Sequence, residues 1–499
     1  MKLFYNGRII TMNKQLATAT AMSVEKGKII ELYDNKPDIA AEYIDLGGKW
    51  VLPGFIDTHT HSISGGLYSM GVNLEHCQNL SELFERLAAG KFLGNMLIAW
   101  HLDEIELAEK RFPTAAELDK IFPDKAVLIR RVDGHSCVIN SWAAQQIEAI
   151  QPLDASFNGT FRRRANDQIT NWFHSNLDEE HILKSYDNAA RHAIKYGQTS
   201  IHTMVGDGYQ SIEHYNLLMD NMARYPIEFI PYAQCFNIEA ALEAGAPRLG
   251  GCILADGSFG SHTAGLFEAY ADQPENKGVL YHTDTFWENI ITRAHANDLQ
   301  MAVHCIGDRA ISQILKYYEK VQKDNPKDLR HVLIHNELTS DEMIRRMGDS
   351  NIVAAMQPMF DRLWAGKDGL YETVLGKERT KRTTRLRSLR DAGVIIGGGS
   401  DWYVTEMDAL AGIDAATRLH NPQERLTPYE AVELYTSHAA WLSHDEKRLG
   451  KLAVGYQADF VVLNENPLES DDIANIDIKS VIKLGEILSF ESEEVRREL

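Results

Sequence analysis

From about residue 52 to residue 401, short apolar runs of strand length alternate with longer segments of helix length. This is the pattern of a parallel α/β domain whose strands are covered on both faces. The strand candidates are WVLPGFIDT (50–58), TSIHT (199–203), EFIPYAQ (228–234), GGCILAD (250–256), LQMAVHCI (299–306), HVLIHNE (331–337), IVAAMQP (352–358) and GVIIGGGSD (393–401). Eight such runs are what a (β/α)8 or TIM barrel requires. Two more, MLIAWH (96–101) and AVLIRRVD (126–133), fall between the first and second candidates and are surplus to the barrel. They predict an inserted subdomain at about 67–190, folded over the barrel mouth, where long insertions accumulate.

The two ends of the chain read differently. Residues 1–51 alternate β-rich runs (LFYNGRII, TATAMSVEKGKIIELY) with hairpin punctuation at Asn6-Gly7 and Lys26-Gly27, and GKLAVGYQADFVVLNENP and IKSVIKLGEIL near the end follow the same idiom. The expected architecture is therefore a distorted barrel over 52–445 plus a small β-sandwich built from 1–51 and 446–499.

Composition narrows the function classes. At 499 residues, with 44% hydrophobic and 24% charged residues, the chain resembles ordinary folded proteins, and no apolar stretch is long enough to span a membrane. A net charge of -20 argues against nucleic acid as a partner, and the basic run Lys377 to Arg390 reads as a solvated helix face. Five cysteines without a paired framework suit a reducing compartment, and the N-terminus lacks a signal-peptide core, so a cytoplasmic location is expected. A homodimer is the default assembly for such an enzyme.

The chemistry concentrates at strand ends. In Asp57-Thr58-His59-Thr60-His61, alternate residues of a strand point the same way, so His59 and His61 present two imidazoles to one point. His304 (MAVHCIGDRA), His335 (HVLIHNE) and Asp401 (IIGGGSD) lie at or near the C-terminal ends of other candidate strands. In a barrel these ends converge on the face where catalytic residues sit. Imidazoles and a carboxylate gathered there suit a divalent metal, above all Zn²⁺.

With these residues in place, the sequence resembles the amidohydrolase superfamily, in its large-insertion branch that includes the N-substituted formamide deformylases (amidohydrolase family 3). The resemblance runs nearly end to end, through LPGFIDTHTH, AVLIRRVDGHSCVIN, GQTSIHTM, ADGSFGSHTAGL, AVHCIGDRA, AGVIIGGGSD, YTSHAAWL and GKLAVGYQADFVVLNENPL. It implies one or two divalent metals at the barrel mouth, with His59, His61, His304 and His335 as ligands. Asp401 would both touch the metal and serve as catalytic base and acid. The activity implied is hydrolysis of a C–N bond in a small molecule: an amide, formamide or cyclic amide.

Two departures from the family pattern stand out. Relatives often carry a carbamylated Lys on the fourth strand, bridging two metals; this chain has Gly251-Cys252-Ile253. Cys252 could take the bridging place as a thiolate, or be a small buried residue beside a single metal. Trp402-Tyr403 follows Asp401 where relatives have a small residue and Pro, which alters the pocket wall. His135, in the Asp133-Gly134-His135-Ser136 turn, is a candidate substrate contact. His202 is a second and His262 a third, while Trp100, Trp364, Trp402 and Tyr403 could line an apolar pocket. The same scaffold also admits ester, lactone or phosphoester hydrolysis, deamination, or a scaffold protein without catalysis.

Overall fold

A computed structural model of the chain describes residues 1–151, 156–206 and 212–490. Its central sheet has eight parallel strands in chain order: β1 (Phe55–Thr60), β2 (Gln198–Val205), β3 (Glu228–Ala233), β4 (Arg248–Leu254), β5 (Gln300–Cys305), β6 (Val332–His335), β7 (Val353–Met356) and β8 (Ile396–Gly398). Every residue of β1, β2 and β5 is buried, polar ones such as Asp57, Thr58, Gln198 and Ser200 included, as in a sheet covered on both faces. The barrel closes at its C-terminal rim. There the Asp401 N–H donates to the His59 carbonyl at 2.9 Å and the His61 N–H donates to the Trp402 carbonyl at 2.6 Å.

All eight expected barrel runs carry a strand, with one change of boundary. The run WVLPGFIDT is two strands, because Trp50–Pro53 turns away at Pro53-Gly54 and pairs antiparallel with Phe460–Leu463. Proline has no N–H to give a continuing ladder, so the break falls there.

Trp50–Pro53 belongs to a six-stranded sheet that also holds Thr18–Ala19, Arg8–Ile10, Phe460–Leu463, Ile478–Lys483 and Glu486–Phe490. A four-stranded sheet of Lys28–Tyr33, Ala21–Glu25, Lys2–Tyr5 and Glu42–Asp45 covers it. Phe4, Ile29, Val51 and Phe460 are fully buried between the two, and Phe4 meets Phe460 edge to face at 5.0 Å. The ends of the chain thus complete one β-sandwich.

The segment between β1 and β2 forms a third sheet, ordered Thr160–Arg162, Ser136–Ile139, Ala126–Arg131, Met96–Leu102 and Val72–Asn73. The two surplus runs of the sequence are its adjacent parallel strands. The segment returns to the barrel through the helix Glu179–Lys195, capped by Asp178, whose side chain accepts from the His181 N–H. That helix packs on Ser62–Tyr68 so closely that a Cβ on Gly66 would stand 2.0 Å from the Ser185 carbonyl.

Candidate metal centre

The barrel brings His59, His61, Cys252, His304, His335 and Asp401 to one place at its mouth. One oxygen of Asp401, Oδ1, lies 3.2 Å from Nε2 of both His59 and His61. Two donor atoms each about 2.0–2.1 Å from one tetrahedral ion would stand about 3.3 Å apart. Three sets of donor atoms fall within 4.8 Å of one another: His59, His61 and Cys252; Cys252, His304 and His335; and His59, His335 and Asp401.

Neighbouring groups orient these side chains. Gln357 Oε1 accepts from His335 Nδ1 at 2.7 Å, leaving the Nε2 lone pair for the site, and His304 Nε2 donates to the Gly257 carbonyl at 3.2 Å. The free His304 Nδ1 then faces Cys252 Sγ at 3.8 Å. Such outer partners fix the ring and tautomer of a ligating histidine. His59 is fully buried, yet neither of its ring nitrogens has a hydrogen-bond partner among the described residues, and the same holds for Asp401 Oδ1. Buried polar atoms are seldom left so. Orphaned imidazole nitrogens, a carboxylate and a sulfur fit a borderline-soft divalent metal such as zinc.

Electrostatics agree with that fit. Burial pushes the titration of His59 down, that of His335 down to about 3 and that of His304 well below the ordinary range, so all three are neutral, as ligands must be. Burial pushes the Cys252 thiol well up, with the Asp401 and Asp167 carboxylates adding to it, so the thiol ionises only against a cation. For Asp401, burial opposes the charge, but the His59 and His61 rings outweigh it and hold the carboxyl well below its usual range.

The backbone at the site is strained. His335 (φ 65°) and Asp401 (φ 57°) adopt left-handed conformations, which cost non-glycine residues about 1–3 kcal/mol each. Asp57 holds the rim together from behind: its carboxylate accepts the N–H groups of His59 at 2.9 Å and Ser400 at 3.1 Å. Asp256 does the same after β4, accepting from Gly265, Ile306 and Gly307 at 2.7–3.0 Å.

The centre opens into a cavity of about 500 Å³, roofed by the inserted segment. His135 lies on its wall, with its ring centroid 5.4 Å from that of His304. Its turn is pinned by Asp133, which accepts from Ser258 Oγ at 2.8 Å and Ser261 Oγ at 3.0 Å and pairs with Arg131 at 3.1 Å. Trp364 and Tyr403 also line the cavity. Trp100 and Trp402 do not; the Trp402 ring stacks on His192 at 4.8 Å instead.

The expected substrate contact by His202 is not borne by its position. It sits mid-strand on β2, fully buried in the barrel interior, and is absent from the cavity wall. His262 is occupied by Asp272 at 2.8 Å. The basic run is not one solvated helix face: it spans two short helices, Lys377–Thr380 and Leu386–Asp391, and its half-buried Arg385, Arg387 and Arg390 pair with Glu424, Glu430 and Glu433, of which Glu424 and Glu433 are buried. All five cysteines are free and buried.

Sequence reasoning missed the far wall. Asp167, Thr170, Asn171 and His174 of the helix Arg163–Ser175 all line the cavity, together with Arg130. The signal was a polar stripe at i, i+3, i+4 and i+7, with the buried Ile169 and Phe173 at other positions of the same helix.

A parallel barrel with imidazole, thiol and carboxylate donors at its mouth has the architecture of a metal-dependent hydrolase. The amidohydrolase family model matches residues 42–489, and the chain belongs to that family. It is similar to YtcJ of Bacillus subtilis (strain 168), at 27% identity over 97% of this chain and 99% of that one. It is also similar to the N-substituted formamide deformylase of Arthrobacter pascens, at 21% identity over 94% of each chain. Among solved structures, an uncharacterized metal-dependent hydrolase from Pyrococcus furiosus superimposes with a TM-score of 0.79 at 25% identity, covering 94% of this chain and all of that one.

Proposed function

We propose that the protein hydrolyses a C–N bond (amide, formamide or cyclic amide) of a small molecule, with Asp401 as general base and acid. The observation that carries this reading is the position of Asp401 Oδ1, 3.2 Å from both His59 and His61, on a residue that also lines the cavity. His59, His61, His304, His335 and Asp401 would hold one or two divalent metals, zinc by donor chemistry, with Cys252 as the shared ligand between the His59/His61 and His304/His335 pairs. The metal supplies Lewis-acid activation of water and of the scissile carbonyl.

The chain's residues do the rest. Asp401 accepts the proton of the attacking water and returns it to the leaving nitrogen, which departs poorly as an unprotonated amide anion. His135, on the cavity wall beside His304, donates a hydrogen bond to the carbonyl oxygen as charge builds there. The roof keeps bulk water from the reacting groups. Similarity to a formamide deformylase supports the C–N reading, and five free, buried cysteines suit the cytoplasm.

The test is a substrate panel on zinc-loaded protein: N-substituted formamides, N-acyl amines and cyclic amides against esters, lactones and phosphoesters. Turnover of C–N substrates, abolished by Asp401→Asn while zinc is retained, is expected. Turnover confined to esters, lactones or phosphoesters would overturn the assignment, as would Asp401→Asn activity within a few-fold of wild type.

A further inference from the structure

Away from the barrel mouth, a second group of imidazole and carboxylate donors lies on the roof. The strands Val72–Asn73 and Met96–Leu102 are parallel neighbours, so their C-terminal ends lie side by side. There Glu75 places Oε2 3.6 Å from Nδ1 of His101 and Oε1 3.7 Å from Nε2 of His76. Both histidines are left-handed, His76 at φ 59° and His101 at φ 65°, as His335 and Asp401 are at the barrel mouth. His101 also falls where the register with Ala126–Arg131 shifts, an irregularity of the kind that re-aims a side chain. Its ring is stacked on Trp100 at 4.8 Å, with the planes 10° apart. Arg86 pins the facing loop by donating to the Asn73 carbonyl at 3.3 Å and the Glu75 carbonyl at 2.9 Å.

The His101–Glu75 contact is too long for a hydrogen bond, and Nδ1 is buried without any partner among the described residues. A gap of 3.6 Å is one that a single ion spans with two ligand bonds of about 2.0–2.2 Å. The nitrogen itself is covered, but the side chains of Glu75 and His76 are 45% and 77% exposed. An ion therefore enters along Glu75 and needs only the space between two donor atoms. The charge balance favours a cation. Glu75 has no Lys or Arg partner among the described residues, because Arg86 pairs with Glu82 at 2.5 Å. The Glu406 carboxylate, from the loop after β8, adds negative charge at His101, offset by His192 at 2.5 Å and by Lys195.

We propose that the roof carries a further zinc site, in which Glu75 and His101 hold one ion and His76 turns in from solvent as the third ligand. Two imidazoles and a carboxylate suit zinc, with water completing the sphere. None of the three residues lines the cavity, but Asp103 and Ile105, just after His101, do. The ion thus fixes the base of a loop at the cavity's edge. With a solvent-completed sphere the site is exchangeable: it fills while zinc is free and empties on desalting, whereas zinc buried at the barrel mouth stays.

The experiment titrates zinc by calorimetry into zinc-loaded, desalted wild-type protein, Glu75→Gln, His101→Gln and His76→Gln. Wild-type crystals equilibrated with micromolar zinc are also mapped at the zinc absorption edge. The wild type is expected to take up one further equivalent at micromolar zinc, to melt at a higher midpoint with it, and to show an anomalous peak between His101 Nδ1 and Glu75. Glu75→Gln and His101→Gln should weaken that equivalent by at least the about 10–100-fold that loss of even an outer partner costs a metal site. His76→Gln should weaken it less, and tightly held zinc should be equal in all four proteins. A wild type without the further equivalent, or with a peak only at millimolar zinc, overturns the proposal whether or not the variants fold. So does a Glu75→Gln protein that binds as the wild type does. No outcome depends on turnover, so the site stands or falls apart from the C–N reading.

Discussion

The sulfur of Cys252 lies 3.8 Å from Nδ1 of His304, and the same sulfur also falls within 4.8 Å of donor nitrogens on His59 and His61. One atom therefore lies within reach of both imidazole pairs. If it bridges, wild-type protein dialysed against zinc should retain two equivalents and Cys252→Ser about one. The cobalt-loaded wild type should show a thiolate charge-transfer band that the serine variant lacks. One equivalent in both proteins, without that band, would return Cys252 to the role of a small buried residue.

The Asp133 carboxylate connects the roof to the loop after β4 through Ser258, Ser261 and Arg131. Its loss should therefore displace His135 without touching a metal donor. Asp133→Asn is expected to lower kcat/KM by about 10–100-fold, since misplacing a catalytic group by an ångström carries penalties of that size. Zinc content should stay at the wild-type level. Unchanged kinetics would mean that His135 needs no such anchor or takes no part in turnover.

The barrel was legible because burial on both faces writes strands such as β6 and β7 as apolar runs, and because ligands at strand ends must share a rim. The same logic misplaced His202. It stands three residues before the end of β2, so its side chain points into the barrel interior below the mouth, whereas His59 and His61 occur where β1 ends. Arg130 and His174 were missed for another reason. The polar stripe of the helix Arg163–Ser175 marks a face that includes His174, but that this face and Arg130 meet at the cavity follows only from the packing of the inserted segment over the barrel.

Gly399 is one place where the site sets a limit on side-chain size. A Cβ there would lie 2.9 Å from the His59 backbone nitrogen and 3.0 Å from Asp57 Oδ1, between the first and eighth strands. Gly399→Ala must spread the rim that Asp57 holds closed. Overpacking of this kind costs about 1–3 kcal/mol, to be read from urea unfolding, and zinc affinity should fall with it. An alanine variant with wild-type stability and affinity would show that the closure is looser than these distances imply.

At the opposite end of the barrel, a histidine relay makes stability depend on pH. The Met301 N–H donates to His331 Nδ1 at 3.0 Å, so His331 carries its proton on Nε2 and donates to His295 Nδ1 at 2.9 Å; His295 Nε2 in turn donates to the Asn325 carbonyl at 2.7 Å. Burial pushes His331 down to about 3, with His295 and Lys327 adding to the effect. Below its unfolded pKa of about 6.5, the unfolded chain takes up a proton at this position that the folded chain refuses. The contribution of His331 is therefore complete above that pH and falls by up to about 1.4 kcal/mol per pH unit down to about pH 3. Against His331→Gln, which lacks this titration, the wild-type advantage in unfolding free energy should shrink steadily from pH 7 to pH 4. Nitrogen NMR of the wild type at pH 5 should still show the neutral Nε2–H tautomer of His331. A constant advantage across that range, or an imidazolium signal at pH 5, would contradict the relay.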